Sequence, residues 1–220
     1  MNKNRLRGLG IMVVLSGYLL LGGCAGSKTY LLNLSYDPSS APPLLQGVAQ
    51  PVKLAVYQLE DVRPDRLYLG RRVYRDGMVD FFKPDGGTAE QVVTQTVVKA
   101  MEKAGFKVTL VNRILNPEKE DFKDIPGDLA LGGRMEVLWV EAKTGVATTD
   151  TEAKMRLKFS WGIPRERVWL TKFIEGSASE TDRPLWGPKH AQEKINVVFR
   201  DGLDKLFKDD ELRGKLMKLR

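Results

Sequence analysis

The sequence predicts an α+β fold, a single mixed or antiparallel sheet of about five to seven strands with two main helices packed on one face. Three observations lead there. In EAKMRLKFSW, residues 152–161, Met155, Leu157, Phe159 and Trp161 alternate with Lys154, Arg156, Lys158 and Ser160. That period of two gives a strand with one core face and one wet face. In TAEQVVTQTVVKAMEKAG, residues 88–105, Val93, Val97, Met101 and Ala104 recur at helical spacing, and Val98 widens the stripe. Strand-like runs also follow one another after the first helix instead of alternating with helices, the pattern of segregated α+β layers.

Taken in order, residues 29–36, TYLLNLSY, are apolar and aromatic enough for a short strand. DPSSAPPLLQGVAQP is dense in Pro, Ser and Gly and reads as a tether, so the folded unit is expected to begin at Val52. VKLAVYQLED, residues 52–61, is apolar on both faces, which predicts a central strand covered twice. Asp76-Gly77 between RRVYR and MVDFF signals a hairpin in which both turn residues tolerate positive φ. Thr88 and Gln91 form a capping-box pair for the helix, and Gly105 supplies its stop. FKVTLV then continues as a strand.

Residues 112–128 read as a charged loop. Three strands follow: LALGGRMEVLWVEA, with a bulge or close backbone approach expected at Gly132-Gly133, then the alternating segment, then RVWLTKFIEGSAS after a turn at residues 162–165. The last helix opens at Gly187-Pro188 and aligns Ile195, Val198, Phe199, Leu203 and Leu206. DDELRGKLMKLR reads as a frayed basic end.

The first residues are of another kind. Lys3, Arg5 and Arg7 precede the apolar run LGIMVVLSGYLLL, residues 9–21, which small Gly22 and Gly23 follow. A basic flank, a short apolar core and small residues at a cut site make a secretory leader. The run is too short for a permanent span, which needs roughly 20 apolar residues. The order Leu21-Gly22-Gly23-Cys24 resembles the bacterial lipoprotein signal. That resemblance implies a thiol that receives diacylglycerol, cleavage before Cys24, and acylation of the new amino terminus. Ala25, not Asp, follows the cysteine, which by the same resemblance implies sorting to the outer membrane. The expected organisation is therefore 1–23 signal peptide, 24–51 lipidated tether with room for a short strand, and 52–220 a single periplasmic α+β domain.

Composition narrows the chemistry. Cys24 is the one cysteine and His190 the one histidine. An acylated Cys24 leaves no disulfide and no thiol chemistry, and His190 lies in a helix start with no nucleophile motif near it. No HExxH or Asp-rich calcium loop occurs, so no metal or cofactor is expected. The carboxylates Glu118, Glu120 and Asp121, and Asp209, Asp210 and Glu211, sit in charged runs that mark no paired-acid cleft. Removing the leader takes three cations from the net charge of +7, and secretion argues against a nucleic-acid partner. Arg71, Arg72 and Arg75, interleaved with Tyr74 and neighbouring aromatics, form a candidate partner contact, because Arg and aromatic residues anchor interfaces. Trp186 between Pro184 and Pro188 is a second such candidate.

With KLAVYQLEDVRPDRLYLGRR, VVKAMEKAGFKVTLV and DLALGGRMEVLWVEA in view, the chain resembles the YajG-like envelope lipoproteins and the broader ABC-transport-auxiliary lipoproteins. The resemblance spans residues 52–179 and departs at GIPR, residues 162–165, where an Asp-rich turn is the pattern. It implies a small α+β domain that works by binding and carries no active-site residues. The expected function is a non-enzymatic, lipid-anchored binding or scaffold protein of the outer membrane, facing the periplasm. Its expected partners are membrane lipid, through the Cys24 acyl anchor, and an envelope protein. The alternatives are an accessory or lipid carrier of an ABC-type transport system and, from another class, a cell-wall hydrolase.

Overall fold

In chain order the described residues form β1 (Thr29–Leu32), β2 (Lys53–Gln58), β3 (Glu60–Asp61), β4 (Gly70–Val73), β5 (Val79–Pro84), α1 (Ala89–Lys103), β6 (Lys107–Ile114), a 3-10 turn (Phe122–Asp124), β7 (Leu129–Thr144), β8 (Thr149–Ile163), β9 (Val168–Arg183), α2 (Pro188–Phe207) and α3 (Asp210–Met217). The structure is a computed structural model and describes residues 26–38 and 52–218. The leader at 1–23, Cys24, Ala25 and most of the proline-rich stretch lie outside the described residues.

β7 is the axis of one mixed sheet. One of its edges pairs antiparallel with β8, which pairs antiparallel with β9. The other edge is shared in succession by β2, β3 and β4, all parallel to it. Beyond β2 lies β6, parallel. Beyond β4 lie β5, antiparallel to it, and then β1, parallel to β5. The sheet therefore forks along β7. Its nine strands exceed the five to seven expected from sequence. One reason is local. The Leu59 amide donates to Thr94 Oγ1 of α1 (3.0 Å), which takes it off the ladder, so the segment read as one strand is divided into β2 and β3.

The alternation of β8 stands as read, with Met155, Leu157, Phe159 and Trp161 buried. Their face meets all three helices in one core that also holds Val93, Val97 and Met101 of α1, Ile195, Phe199 and Leu203 of α2, and Leu212 and Leu216 of α3. α1 opens with the expected capping box of Thr88 and Gln91. It closes in a Schellman motif, where Phe106 N donates to Met101 O (3.1 Å), Gly105 N donates to Glu102 O (2.9 Å), and Gly105 takes φ 95°. β2 is covered on both faces. α1 covers one; on the other, Leu115 and Ile125 of the 112–128 segment bury Ala55, Tyr57 and Ala130, and Phe122 stacks on Trp169.

Three details differ from the sequence reading, and one, at Gly132-Gly133, settles an alternative that reading left open. The hairpin after β4 is a three-residue loop in which only Gly77 takes a positive φ (87°), a type I turn with a glycine bulge. The bulge in β7 falls at Glu136, between Met135 and Val137, while Gly132 and Gly133 mark close approaches; a Cβ on Gly133 would stand 2.2 Å from Lys158 O. Residues 210–217 are a helix, not a frayed end, because Asp209 caps it through Leu212 N (2.8 Å) and Leu212 and Leu216 reach the core. Finally, residues 29–36, assigned by sequence to the tether, belong to the sheet and core. Leu32, Leu34 and Tyr36 are buried, Asn33 and Ser35 hydrogen-bond Gln192 and Asn196 of α2, and Tyr36 Oη donates to Asp204 Oδ1 (2.8 Å).

A buried ion pair pins the connection between β3 and β4. Arg63 and Asp61 side chains are 4% and 1% exposed and bond in a fork along one guanidinium edge, Nε to Oδ1 and Nη2 to Oδ2, each 2.9 Å. Arg63 Nη1 also donates to Leu138 O (2.8 Å) and Tyr68 O (2.9 Å), fixing the loop to β7.

Candidate binding site

Alternation along β4 sends Arg71 and Arg72 to opposite faces. Arg71 joins Glu141 across the outer face (3.1 Å) and is about half exposed. Near it, Tyr68 and Phe81 stack at 4.3 Å. Arg75 lies at the exposed hairpin tip, apart from both. Arg72 turns to the helix face, where the loop between β9 and α2 brings Trp186 over it.

Arg72 is held between two aromatic rings, its guanidinium carbon 4.4 Å from the centroid of Tyr74 and 4.4 Å from that of Trp186. Such packing is attractive because each ring face is electron-rich, and it grows stronger as water is excluded. Arg72 Nε donates to Thr144 Oγ1 (2.8 Å), Nη1 to Tyr74 Oη (3.2 Å) and Nη2, at longer range, to Thr149 Oγ1 (3.5 Å). Three of five guanidinium N–H donors are thus engaged, which leaves donors for an incoming acceptor. Tyr74 Oη donates to Asp80 Oδ2 (2.7 Å), and the buried Asp80 carboxylate accepts the Lys28 amide through Oδ1 (2.8 Å). Burial first, and then the bond to Asp80, push the Tyr74 phenol up to about 12. Trp186 is fixed in turn by Nε1 donating to Thr151 Oγ1 (2.8 Å). Phe82, a neighbour in the sequence cluster, is wholly buried beneath Trp186.

A cleft of about 440 Å³ opens beside this cage, lined among others by Arg72, Thr144, Val146, Thr149, Leu185 and Trp186. Arg72, Tyr74 and Trp186 of the sequence-selected set are therefore one site, while Arg71 and Arg75 stand outside it. His190 lies in the first turn of α2 and accepts the Gly187 amide at Nδ1 (2.9 Å), so it serves the helix start. Sequence reading missed a second cleft of similar size on the opposite face, where Glu60 and Arg134 pair at 2.8 Å beside Leu115 and Lys158. Gly133 is part of its lining, but the Gly132-Gly133 pair marks close packing against Leu115 and Lys158, so the sequence carried no direct signal of this cleft. Among the described residues no group of three His, Cys, Asp or Glu is placed to hold a metal ion, and no helix is long and apolar enough to cross a membrane.

No known family model and no curated protein matches the sequence. Solved structures that resemble the chain do so at low identity. An uncharacterized protein aligns with TM-score 0.48 and 8% identity over 83% of this chain and 97% of its own. A neuraminyllactose-binding hemagglutinin homolog from Helicobacter pylori aligns with TM-score 0.46 and 8% identity over 86% and 98%. Lipoprotein GNA1162 from Neisseria meningitidis aligns with TM-score 0.37 and 12% identity over 69% and 97%. The structures similar to this chain thus include a bacterial lipoprotein.

Proposed function

We propose that this chain is a lipoprotein of the outer membrane, anchored through acylated Cys24, facing the periplasm and acting by binding an envelope protein rather than by catalysis. The observation that carries the reading is the motif Leu21-Gly22-Gly23-Cys24 set five residues before the first strand of the sheet, so that whatever holds Cys24 holds the domain. Several acyl chains, each contributing about 0.8 kcal/mol per buried methylene, make such an anchor stable. The YajG-like and ABC-transport-auxiliary resemblance supports a binding role within this setting. Arg72 caged by Tyr74 and Trp186 is the contact we assign to the partner; Arg71, on the opposite face, and Arg75, at the hairpin tip, stand outside it.

Fractionation of cells tests the anchor. Cys24→Ala should abolish leader processing and membrane association, and Ala25→Asp should move the protein to the inner membrane. Outer-membrane recovery of Cys24→Ala would overturn the reading. Photo-crosslinking from positions 147 and 148, which line the cleft beside Arg72, should capture one protein in the envelope, and Arg72→Ala should remove that product.

A second reading, an accessory or lipid carrier of an ABC-type transport system, is favoured by one feature. The Arg72 cleft has apolar lips at Val146 and Leu185 beside a cation, a combination suited to a phospholipid. Native mass spectrometry separates the two readings: co-purified phospholipid lost in Arg72→Ala supports the carrier, and a clean protein mass excludes it.

A further inference from the structure

Strand directions place four segments at one end of the molecule. β7 and β9 run towards this end and deliver the turn at 145–148 and the loop at 184–187. β4 runs parallel to β7 and delivers the hairpin tip at 74–78. β1 runs the opposite way, so its beginning, not its end, lies here. The register makes this quantitative: Thr29 pairs with Phe81, Phe81 with Arg71, and Arg71 with Glu141. Val146 lies five residues beyond Glu141 in one direction of the chain. Cys24 lies five residues before Thr29 in the sequence, and Thr29 begins a strand that starts from this same end.

The same end carries the two most exposed large apolar side chains among the described residues, Val146 at 85% and Leu185 at 86%, with Met78 at 39% on the hairpin tip. Elsewhere such side chains are less exposed, the highest being Leu31 at 61% on β1 and Leu67 at 57% in the β3–β4 loop. Lys28, Arg75 and Lys189 are exposed here, balanced by Asp76, Asp150 and Asp182, so charge does not choose a partner strongly. The tether does. From Cys24 to Thr29 the chain reaches at most about 18 Å, and from Cys24 to Gly26 about 7 Å. A domain on so short a leash meets the bilayer that holds its acyl chains, and the end it presents is the one with bare aliphatic tips.

We infer that the end of the domain formed by the 74–78 tip, the 145–148 turn and the 184–187 loop rests on the phospholipid surface, with Val146 and Leu185 seated in the headgroup region. This rests on the lipid-anchor reading and fixes the orientation that the reading leaves open. A partner that engages Arg72 then does so at the bilayer surface.

The test uses the whole lipoprotein, acylated in cells and reconstituted in vesicles of phosphatidylethanolamine and phosphatidylglycerol. Because Cys24 is the one natural cysteine and is blocked by acylation, Val146→Cys, Leu185→Cys and Lys123→Cys each accept a single environment-sensitive fluorophore. Position 123 lies beside the beginning of β7, about 45 Å from the 145–148 turn at strand rise. Apolar tips settled about 5–10 Å into the interface place probes at 146 and 185 within reach of doxyl-labelled lipid, quenching them about twofold more than the probe at 123. Equal quenching at all three sites, or none at 146 and 185 while the protein floats with vesicles and Cys24 carries its acyl mass, overturns the orientation and spares the anchor. An unmodified Cys24 overturns the anchor and the orientation with it.

Discussion

Removing the Arg63 guanidinium should be among the most damaging single changes in the β3–β4 connection. Arg63→Ala leaves the Asp61 carboxylate, 1% exposed, with the Arg63 amide (3.1 Å) as its remaining bond from that residue. It also strips the carbonyls of Leu138 and Tyr68 of their side-chain donor. Breaking a buried pair by deleting one partner costs about 3–5 kcal/mol, because the remaining charge is stranded. Losses at the two carbonyls overlap with that figure, since groups in one network are not additive. The expectation is about 4 kcal/mol, and at a urea slope of about 2 kcal/mol per molar the unfolding midpoint falls by about 2 M. Arg63→Lys should recover only part of this, because one ammonium cannot reproduce a fork that reaches a carboxylate and two carbonyls. Asp61→Ala combined with Arg63→Met should be less damaging than Arg63→Ala alone, since no charge is then stranded. The assay is equilibrium urea unfolding of the leaderless chain, followed by tryptophan fluorescence and by far-ultraviolet circular dichroism. A loss below about 1 kcal/mol for Arg63→Ala, with the slope unchanged, would refute the argument, because water would then be replacing the guanidinium.

Three other outcomes follow from contacts described above. A Cβ on Gly176 would lie 2.5 Å from Val198 O, so Gly176→Ala should lift α2 from β9 and lower stability by about 1–3 kcal/mol in the same urea assay. The Tyr74 phenol, raised to about 12, favours its neutral form in the fold; that stabilisation is intact below the unfolded value near 10 and fades as pH rises through 12. A tyrosinate absorbance titration of wild type minus Tyr74→Phe should show one group ionising near 12, and a difference centred near 10 would contradict the Asp80 bond. Hydrogen bonds from Arg113 hold Glu120 below the usual carboxylate range, so its contribution is present above the ordinary value and fades as pH falls through the lowered one. Arg113→Ala should therefore flatten the acid limb of stability against pH, and an unchanged limb would count against that pair.

Local patterns were readable wherever one residue reports its own environment. The alternation of β8, the Thr88–Gln91 box and the Gly187-Pro188 start each encode a backbone preference within a few positions, and each stands in the structure. α3 carried the same kind of signal, Asp209 followed by Asp210 and Glu211 with Lys215 near the end, but its basic surroundings obscured it. What could not be read is what depends on distant partners. The ladder position of β1 is fixed by β5 and α2, and the second cover of β2 comes from a charged loop whose Leu115 and Ile125 turn inward. The same limit applies to the site. Arg72, Tyr74 and Trp186 were all selected for their chemistry, yet only the fold shows that Trp186 closes on Arg72 while Arg71 faces away.

The placement of β1 also sets how the molecule bears load. A pull on its amino-terminal side runs along the strand axis, so the four rungs from Thr29 to Leu32 are sheared together instead of being peeled one at a time. Behind them, Asn33 and Ser35 are clasped to Asn196, and Tyr36 is wedged against Phe207 and bonded to Asp204, so the tension passes directly into the last long helix. A pull on the chain before Thr29 is therefore resisted by the sheet and the core together, with no weak hinge between Thr29 and Tyr36.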